Sequence, residues 1–466
     1  MNENKLLEPS FNRNDCKAGI VHLGVGNFHR AHQALYINKY LEKTNDLNWG
    51  IIGVNLRKSE SEYFKLLGER KGKYILKTIS TNGEENFEEI HSLINLFDWS
   101  SDQIDAENVL SNPSIEIVTM TVTESGYYIS ENNELDLHNE KIKNNLEDKE
   151  RDIIFSYLLN ALKVRKKSCN KAITLLCCDN IRENGKMLEK TLKTYVNKKK
   201  EFELLEWINK NVSFPSCMVD RITPRSPDEL KEEIFTKFKI REHCSVMAEP
   251  FIQWVIEDNF IGKRPQLEKV GVEFVKNVIP YEEIKIRILN AGHVALAYFG
   301  VLKGYRTYDE AINDKELEEF FFNIQEKEII PALGQNLPLD LKEYMQLIHN
   351  RFKNKYIGDK LERLVMDGVG KFPIFILPSI KKCFELNILP KFLISSIASW
   401  YIFMIKINNK EIAFDYYEPK WSWIKNYLDN DNKFISCKEL WGDIPQKYKE
   451  FNEILKSEIE NLKSRY

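Results

Sequence analysis

Residues 19–32 read GIVHLGVGNFHRAH, and the fold turns on this stretch. Gly19–Leu23 has the length and apolar character of a buried strand, Gly24 ends it, and an amphipathic segment from about Ala31 to Leu41 follows. Strand, glycine turn and helix in that order open a dinucleotide-binding fold, in which residues without side chains let the backbone approach a pyrophosphate at a helix N-terminus. Gly24 and Gly26 occupy two positions of the pattern G-x-G-x-x-G, but His29 stands at the third. By itself such a turn fits a plain chain reversal equally well.

The flanking sequence favours the dinucleotide reading. Trp49–Leu56 (WGIIGVNL) lies one helix length further on, the spacing of a parallel β-α-β unit. Ile115–Thr123 (IEIVTMTVT) and Ala172–Cys178 (AITLLCC) are apolar along most of their length, as strands covered on both faces are. After about Pro280 strand alternation gives way to long helical patterns such as Lys315–Ile330 and Phe392–Ile405. With 466 residues the chain has room for two or three domains. The expected architecture is α/β: a Rossmann-type dinucleotide-binding domain over residues 1–278, then a mostly α-helical substrate-binding and catalytic domain over residues 279–466.

Composition narrows the function. Lysine and arginine number 67 against 70 aspartate and glutamate, a net charge of −3 that gives no field for nucleic acid or anionic lipid. Small molecules are the expected partners. Residues 1–15 lack the apolar core of a secretory signal, and Phe392–Ile405, with three serines and flanking lysines, is too short to cross a bilayer and reads as a buried helix. Eight scattered cysteines form no C-x-x-C pair, so reduced, mostly buried thiols of a cytoplasmic protein are expected.

Cofactor selectivity rests on residues just past the second strand. Arg57 and Lys58 could take a 2'-phosphate, whereas Glu60 would repel one and could accept from a ribose hydroxyl, so NAD is favoured with NADP left open. Asn27 and Phe28 in the glycine turn join the cofactor set. So do Thr121, Thr123 and Glu124, at the C-terminal end of an expected strand where ligands of open parallel sheets bind.

The segment PYEEIKIRILNAGH carries Glu282, Lys285, Asn290 and His293 on an expected helix. Setting Lys285 at zero and advancing about 100° per residue places Glu282 near 60°, His293 near 80° and Asn290 near 140°. This side is either the wet face of an amphipathic helix or a chemical site. Alcohol oxidation requires a base for the hydroxyl proton and donors for the developing alkoxide. A lysine serves as base near neutral pH where burial and positive neighbours disfavour its charge, and an asparagine amide donates without titrating. Asn180, just after AITLLCC, is a second such amide. Arg363 and Lys371 bracket an Asp367–Gly368 turn that lets two cations eight residues apart converge. Asp220 either accepts from a substrate hydroxyl or pairs with Arg221.

GVGNFHRAHQALY, WGIIGVNLR, TVTESGYY, CCDNIRENG, SFPSCMVDRITP, EPFIQWVIEDNFIGKRPQLEKVGVEF, PYEEIKIRILNAGH and LERLVMDGVGKFP together span nearly the whole chain. In this order they resemble the polyol-specific long-chain dehydrogenases, and within that family most of all its mannitol-oxidising members. The resemblance implies a zinc-independent enzyme that interconverts a sugar alcohol and a ketose with NAD. It implies Lys285 as general base, Asn180 and Asn290 as the oxyanion hole, and His293 as a substrate-placing group. It also implies Glu282 as a gate for proton exit, Arg363 and Lys371 as binders of substrate hydroxyls, and a monomer. The family's second-strand acid matches Glu60.

Other readings stay open at this point. Tyr281 and Lys285 form the Y-x-x-x-K of short-chain dehydrogenases, but lie far beyond the Rossmann segment where that pair occurs. No clustered His, Cys and Glu set suggests a zinc enzyme. Arabinitol dehydrogenase and fructuronate or tagaturonate reductase are the enzyme alternatives, and a non-catalytic NAD(H) sensor is the alternative from another class.

Overall fold

The computed structural model describes residues 5–130, 132–413 and 415–466; the first four residues of the N-terminal stretch read above lie outside that set. The chain divides into two compact units, residues 1–80 with 84–279, and residues 81–83 with 280–466.

The first unit is built on six parallel strands: β1 (Ala18–Leu23), β2 (Gly50–Asn55), β3 (Leu93–Asp98), β4 (Ile117–Met120), β5 (Ile173–Cys177) and β6 (Val212–Ser213). Their order is β3-β2-β1-β4-β5-β6. This is the doubly wound Rossmann order, which reverses direction between β1 and β4 and opens a crevice at the strands' C-terminal ends. Leu23 pairs with Met120, and Met120 with Cys177, so the residues that follow these three leave the sheet along one edge. The strands are apolar throughout because helices cover both faces; Val21, Leu23, Val54, Val118 and Leu175 have no exposed surface.

The structure departs from the sequence expectation at two places around this sheet. β4 stops at Met120, not at Thr123: the Thr121 N–H still donates to the Leu23 carbonyl at 2.9 Å, but the Val122 and Thr123 N–H groups turn to the Asp179 carboxylate and leave the ladder. The helix after the glycine turn comes as two, Asn27–Ala31 and Gln33–Thr44, broken at His32 with φ −124° and ψ −87°. Two smaller sheets had no expectation at all: Leu6–Leu7, Glu85–Ile90, Tyr74–Ile79 and Val246–Ala248 in one, Cys217–Asp220, Gln253–Glu257 and Glu273–Val275 in the other. The run ENFEEI lacks an apolar strand's signature. Pairing and charge fix it instead, since buried Lys77 forms ion pairs with Glu85 at 2.6 Å and Glu233 at 2.8 Å.

The regular elements described in the second unit are helices, with one isolated bridge between Thr307 and Lys360. Its core gathers around Ala291–Leu302 and Lys391–Asn408, and the latter also packs on Lys449–Arg465. Lys391–Asn408 is buried continuously from Leu393 to Met404, with Ser396 and Ser399 satisfied by carbonyls of their own helix. Among the described residues no helix is long and apolar enough to cross a membrane. All eight cysteines are free and six are buried.

The helix carrying PYEEIKIRILNAGH is not a straight α-helix. An α segment, Ile279–Ile284, passes into a π segment, Lys285–Asn290, and returns to α over Ala291–Leu302. Inside the π segment hydrogen bonds span five residues, as from the Ala291 N–H to the Ile286 carbonyl. The constant 100° step therefore fails across it: Asn290 stands one wide turn after Lys285, not about 140° around the axis.

Candidate active site

In the first unit the candidate residues collect at the C-terminal edge of the six-stranded sheet. Gly24 has φ +88°, and a Cβ built there would lie 2.2 Å from the Thr121 carbonyl oxygen. Gly26 caps the helix Asn27–Ala31 with ordinary φ −80°, and a Cβ there would meet nothing within 4 Å. One glycine is thus demanded by the fold. The other keeps open space in front of the backbone, which suits a phosphate cradle. The missing third glycine has a visible substitute: His29 is fully buried and stacks on His22 with ring centroids 3.3 Å apart.

His22 locks the turn from below. Its Nδ1 lies 2.7 Å from Thr119 Oγ1, and its Nε2 lies 3.0 Å from both the Gly24 carbonyl and Thr121 Oγ1. Burial takes this imidazole down to about 3 and holds His29 well below the usual histidine range, so both rings stay neutral. Asn27 accepts from Arg30 at 2.6 Å, and Phe28 stacks on His32.

Beyond β2, Arg57 donates to the Val122 carbonyl at 2.8 Å and to Thr123 Oγ1 at 3.3 Å, which ties the end of the second strand to the loop after the fourth. Glu60 and Lys58 are exposed on the short turn that leads into the helix Ser61–Glu69. Thr123 and Glu124 are exposed as well, and Thr123 takes φ +67°, a strained value for a β-branched residue. Asp179 holds that strain: it accepts from the Val122 and Thr123 N–H groups and from the Tyr127 hydroxyl at 2.7 Å. Burial nevertheless raises its carboxyl to about 6.

Asn180 follows Asp179 and is exposed. Its backbone is pinned by Asn184, whose amide donates to the Asp179 carbonyl at 3.1 Å and to the Cys217 carbonyl at 2.8 Å, while its oxygen accepts from the Cys217 N–H at 2.9 Å. Asn184 thus fixes the loop holding Asn180 against the strand that ends in buried Asp220. Arg221 spends its guanidinium on the Glu249 and Ala31 carbonyls.

In the second unit Glu282, Lys285 and His293 are all buried and Asn290 is partly buried, which rules out the wet-face reading of their helix. His293 stacks on Phe352 at 4.1 Å and meets the edge of Tyr308 at 4.7 Å. Burial, then the positive charges of Arg363, Arg351, Lys371 and Lys285, hold its imidazole well below the usual range. Four basic side chains thus act on one neutral ring.

Arg363 is held by a bidentate pair with Asp359, and the Lys371 ammonium donates to the Leu364 carbonyl at 2.9 Å. Asp367 between them has φ +55°, and a Cβ at Gly368 would strike Trp400, so the expected Asp-Gly turn exists and tolerates no larger residue. Arg351, His22, Asp179 and Asn184 escaped the sequence reading because their roles depend on partners far along the chain. Among the described residues no group of three or more His, Cys, Asp and Glu side chains is placed to hold a metal ion.

Comparison with known proteins places the chain in a family. Residues 18–269 match the mannitol dehydrogenase Rossmann domain, and residues 277–463 match the mannitol dehydrogenase C-terminal domain. The chain is 34% identical over 439 residues to D-arabinitol 4-dehydrogenase of Ralstonia nicotianae, covering 91% of this chain and 92% of that one. It is also 34% identical over 461 residues to mannitol 2-dehydrogenase of Phaeosphaeria nodorum, covering 97% and 81%. The ternary complex of Pseudomonas fluorescens mannitol 2-dehydrogenase with NAD and D-mannitol superposes with a TM-score of 0.89 at 30% identity, covering 100% of this chain and 95% of that one. With both of its domains matched in order, the chain belongs to the mannitol dehydrogenase family.

Proposed function

We propose that the protein is an NAD-dependent polyol dehydrogenase that interconverts a sugar alcohol and a ketose of the mannitol and fructose kind, with residues 279–466 supplying the base. The observation that carries this reading is the buried basic cluster on the π-interrupted helix: Lys285 and His293 withdrawn from water among further cations. Burial and surrounding positive charge are the two conditions under which a lysine side chain gives up its proton.

The glycine turn, with open space at Gly26 and a rigid scaffold under Gly24, fits a dinucleotide pyrophosphate; Asn27, Phe28, Arg57, Glu60, Thr123 and Glu124 are the groups assigned to the rest of the cofactor. NAD, when bound, supplies the hydride acceptor. Lys285 takes the hydroxyl proton, and Glu282, three residues earlier in the same helix, passes it on. The side-chain amides of Asn180 and Asn290 donate to the substrate oxygen as negative charge develops on it. His293, kept neutral, has one ring nitrogen to donate and one to accept, which suits a hydroxyl. Arg363, Lys371 and Asp220 hold the remaining hydroxyls. With an amine as base and amides for the oxygen, the chemistry needs no metal, and the enzyme works as a cytoplasmic monomer.

Initial rates for D-mannitol, D-arabinitol, D-sorbitol, D-fructose and D-fructuronate, each with both nicotinamides in the required redox state, test this reading. Turnover of a polyol or ketose with NAD(H) is expected to dominate. Cofactor binding without turnover of any of the five would overturn the proposal in favour of a sensor, and dominance of fructuronate would reassign the substrate.

A further inference from the structure

Two π segments face each other in the second unit, Lys285–Asn290 on the helix of the proposed base and Gln325–Ile329 on its neighbour. A π turn exchanges i to i+4 hydrogen bonds for i to i+5 bonds and persists where the surroundings compensate the displaced groups. Here the compensation is visible. Gln325, fully buried at the start of the second π segment, donates its side-chain amide to the Ile288 carbonyl in the middle of the first, at 2.9 Å. The approach requires Gly292, where a Cβ would stand 3.0 Å from that same amide nitrogen. One turn on, the Tyr308 hydroxyl donates to the Gly292 carbonyl at 2.9 Å while its ring meets His293. The other atom of the Gln325 amide, Oε1, is buried with no hydrogen-bond partner among the described residues. An amide kept in the core at that cost is kept for its donor.

The consequence is geometric. Lys285 and Asn290 are the first and last residues of the π segment. Relaxation of this turn to an ordinary α turn would rotate everything after it by about 100° relative to Lys285. We propose that Gln325 is a positioning residue: by holding the Ile288 carbonyl it maintains the π turn, and so the relative placement of the proposed base Lys285 and the proposed alkoxide donor Asn290. This rests on the reading of the site given above.

The test is Gln325→Met, which keeps length and removes the donor, assayed with NAD and whichever of D-mannitol or D-arabinitol the parent oxidises faster. The expected result is a fall in kcat of about 10- to 100-fold, the usual effect of a small misplacement of reacting groups. KM for NAD should stay within about twofold, and the pH profile of kcat should be displaced because the surroundings of the amine have changed. Lower thermal stability with the parent's kcat per folded molecule and its pH profile would overturn the proposal, since that is what a purely structural glutamine gives. Should Gln325→Met fail to fold, Gln325→Leu, smaller and likewise without a donor, is judged by the same readouts. Lys285→Ala runs alongside: a parent-like rate there overturns the site reading and this inference together, whereas an inactive Lys285→Ala beside an unchanged Gln325→Met overturns this inference alone.

Discussion

Two glycines separated by one residue should fail in opposite ways when given a methyl group. At Gly24 an alanine must adopt φ +88° with its Cβ 2.2 Å from the Thr121 carbonyl oxygen, an atom of the β4 edge already held by its neighbours. The left-handed backbone costs about 1–2 kcal/mol for a residue with a Cβ. Overpacking against a rigid partner adds about 1–3 kcal/mol. Gly24→Ala should therefore lose roughly 2–5 kcal/mol, a drop of several degrees or more in the melting temperature for a unit of this size. At Gly26 the same methyl meets nothing within 4 Å at φ −80°, so the folded protein should keep its stability to within about 1 kcal/mol. That methyl instead enters the space assigned to the pyrophosphate and should weaken NAD binding at least about tenfold, or about 1.4 kcal/mol. Thermal melts of both variants and fluorescence titration with NADH separate the two effects. A Gly26→Ala protein that binds NADH like the parent would refute the cradle, and a Gly24→Ala protein as stable as the parent would refute the steric argument.

Other outcomes follow from the same geometry. Lys285→Ala should lose about 10²- to 10⁴-fold or more in kcat with NADH binding retained, as expected for a missing base; steady-state rates with near-normal turnover would remove Lys285 from the mechanism. Asn180→Ala should lower kcat by about 10² or more at unchanged fold, and a defect confined to KM would contradict its role as alkoxide donor. Dialysis against EDTA should leave the rate unchanged; loss restored by a divalent ion would show that a metal takes part. Folding stability should carry the signature of a buried neutral imidazole: His22 sits at about 3 in the fold and near 6.5 unfolded, so below pH 6.5 the unfolded chain binds the extra proton and stability falls as pH drops. Asp179 and Glu328, raised to about 6 and about 7, act in the opposite sense, because the folded state holds their protons longer and their contribution is lost as pH rises through those values. Urea titrations of parent and His22→Asn at pH 7.5 and pH 5 isolate the histidine, and the variant should lose about 2 kcal/mol less than the parent on acidification. Equal losses would show that His22 does not stay neutral.

Much of this was legible in the residues themselves. Apolar runs fix parallel strands because a sheet covered on both faces admits nothing else, and GIVHL, WGIIGVNL and AITLLCC each lie within a residue of an observed strand. Gly24 and Gly26 were readable because only a missing side chain meets the demands of such a turn, and the ordered motifs sufficed to identify the family. Other features depended on partners distant in sequence. β4 gives way to a loop because Asp179, more than fifty residues later, takes the Val122 and Thr123 donors. Glu85–Ile90 is a strand because Lys77 and its neighbours balance its charge, which no local pattern announces. The π turn at Lys285 depends on the amide of Gln325, and the same four polar residues would sit on a solvated face if that helix were not buried. Sequence periodicity assumes a constant step per residue and a known environment; only packing decides where the step changes and which polar face water never reaches.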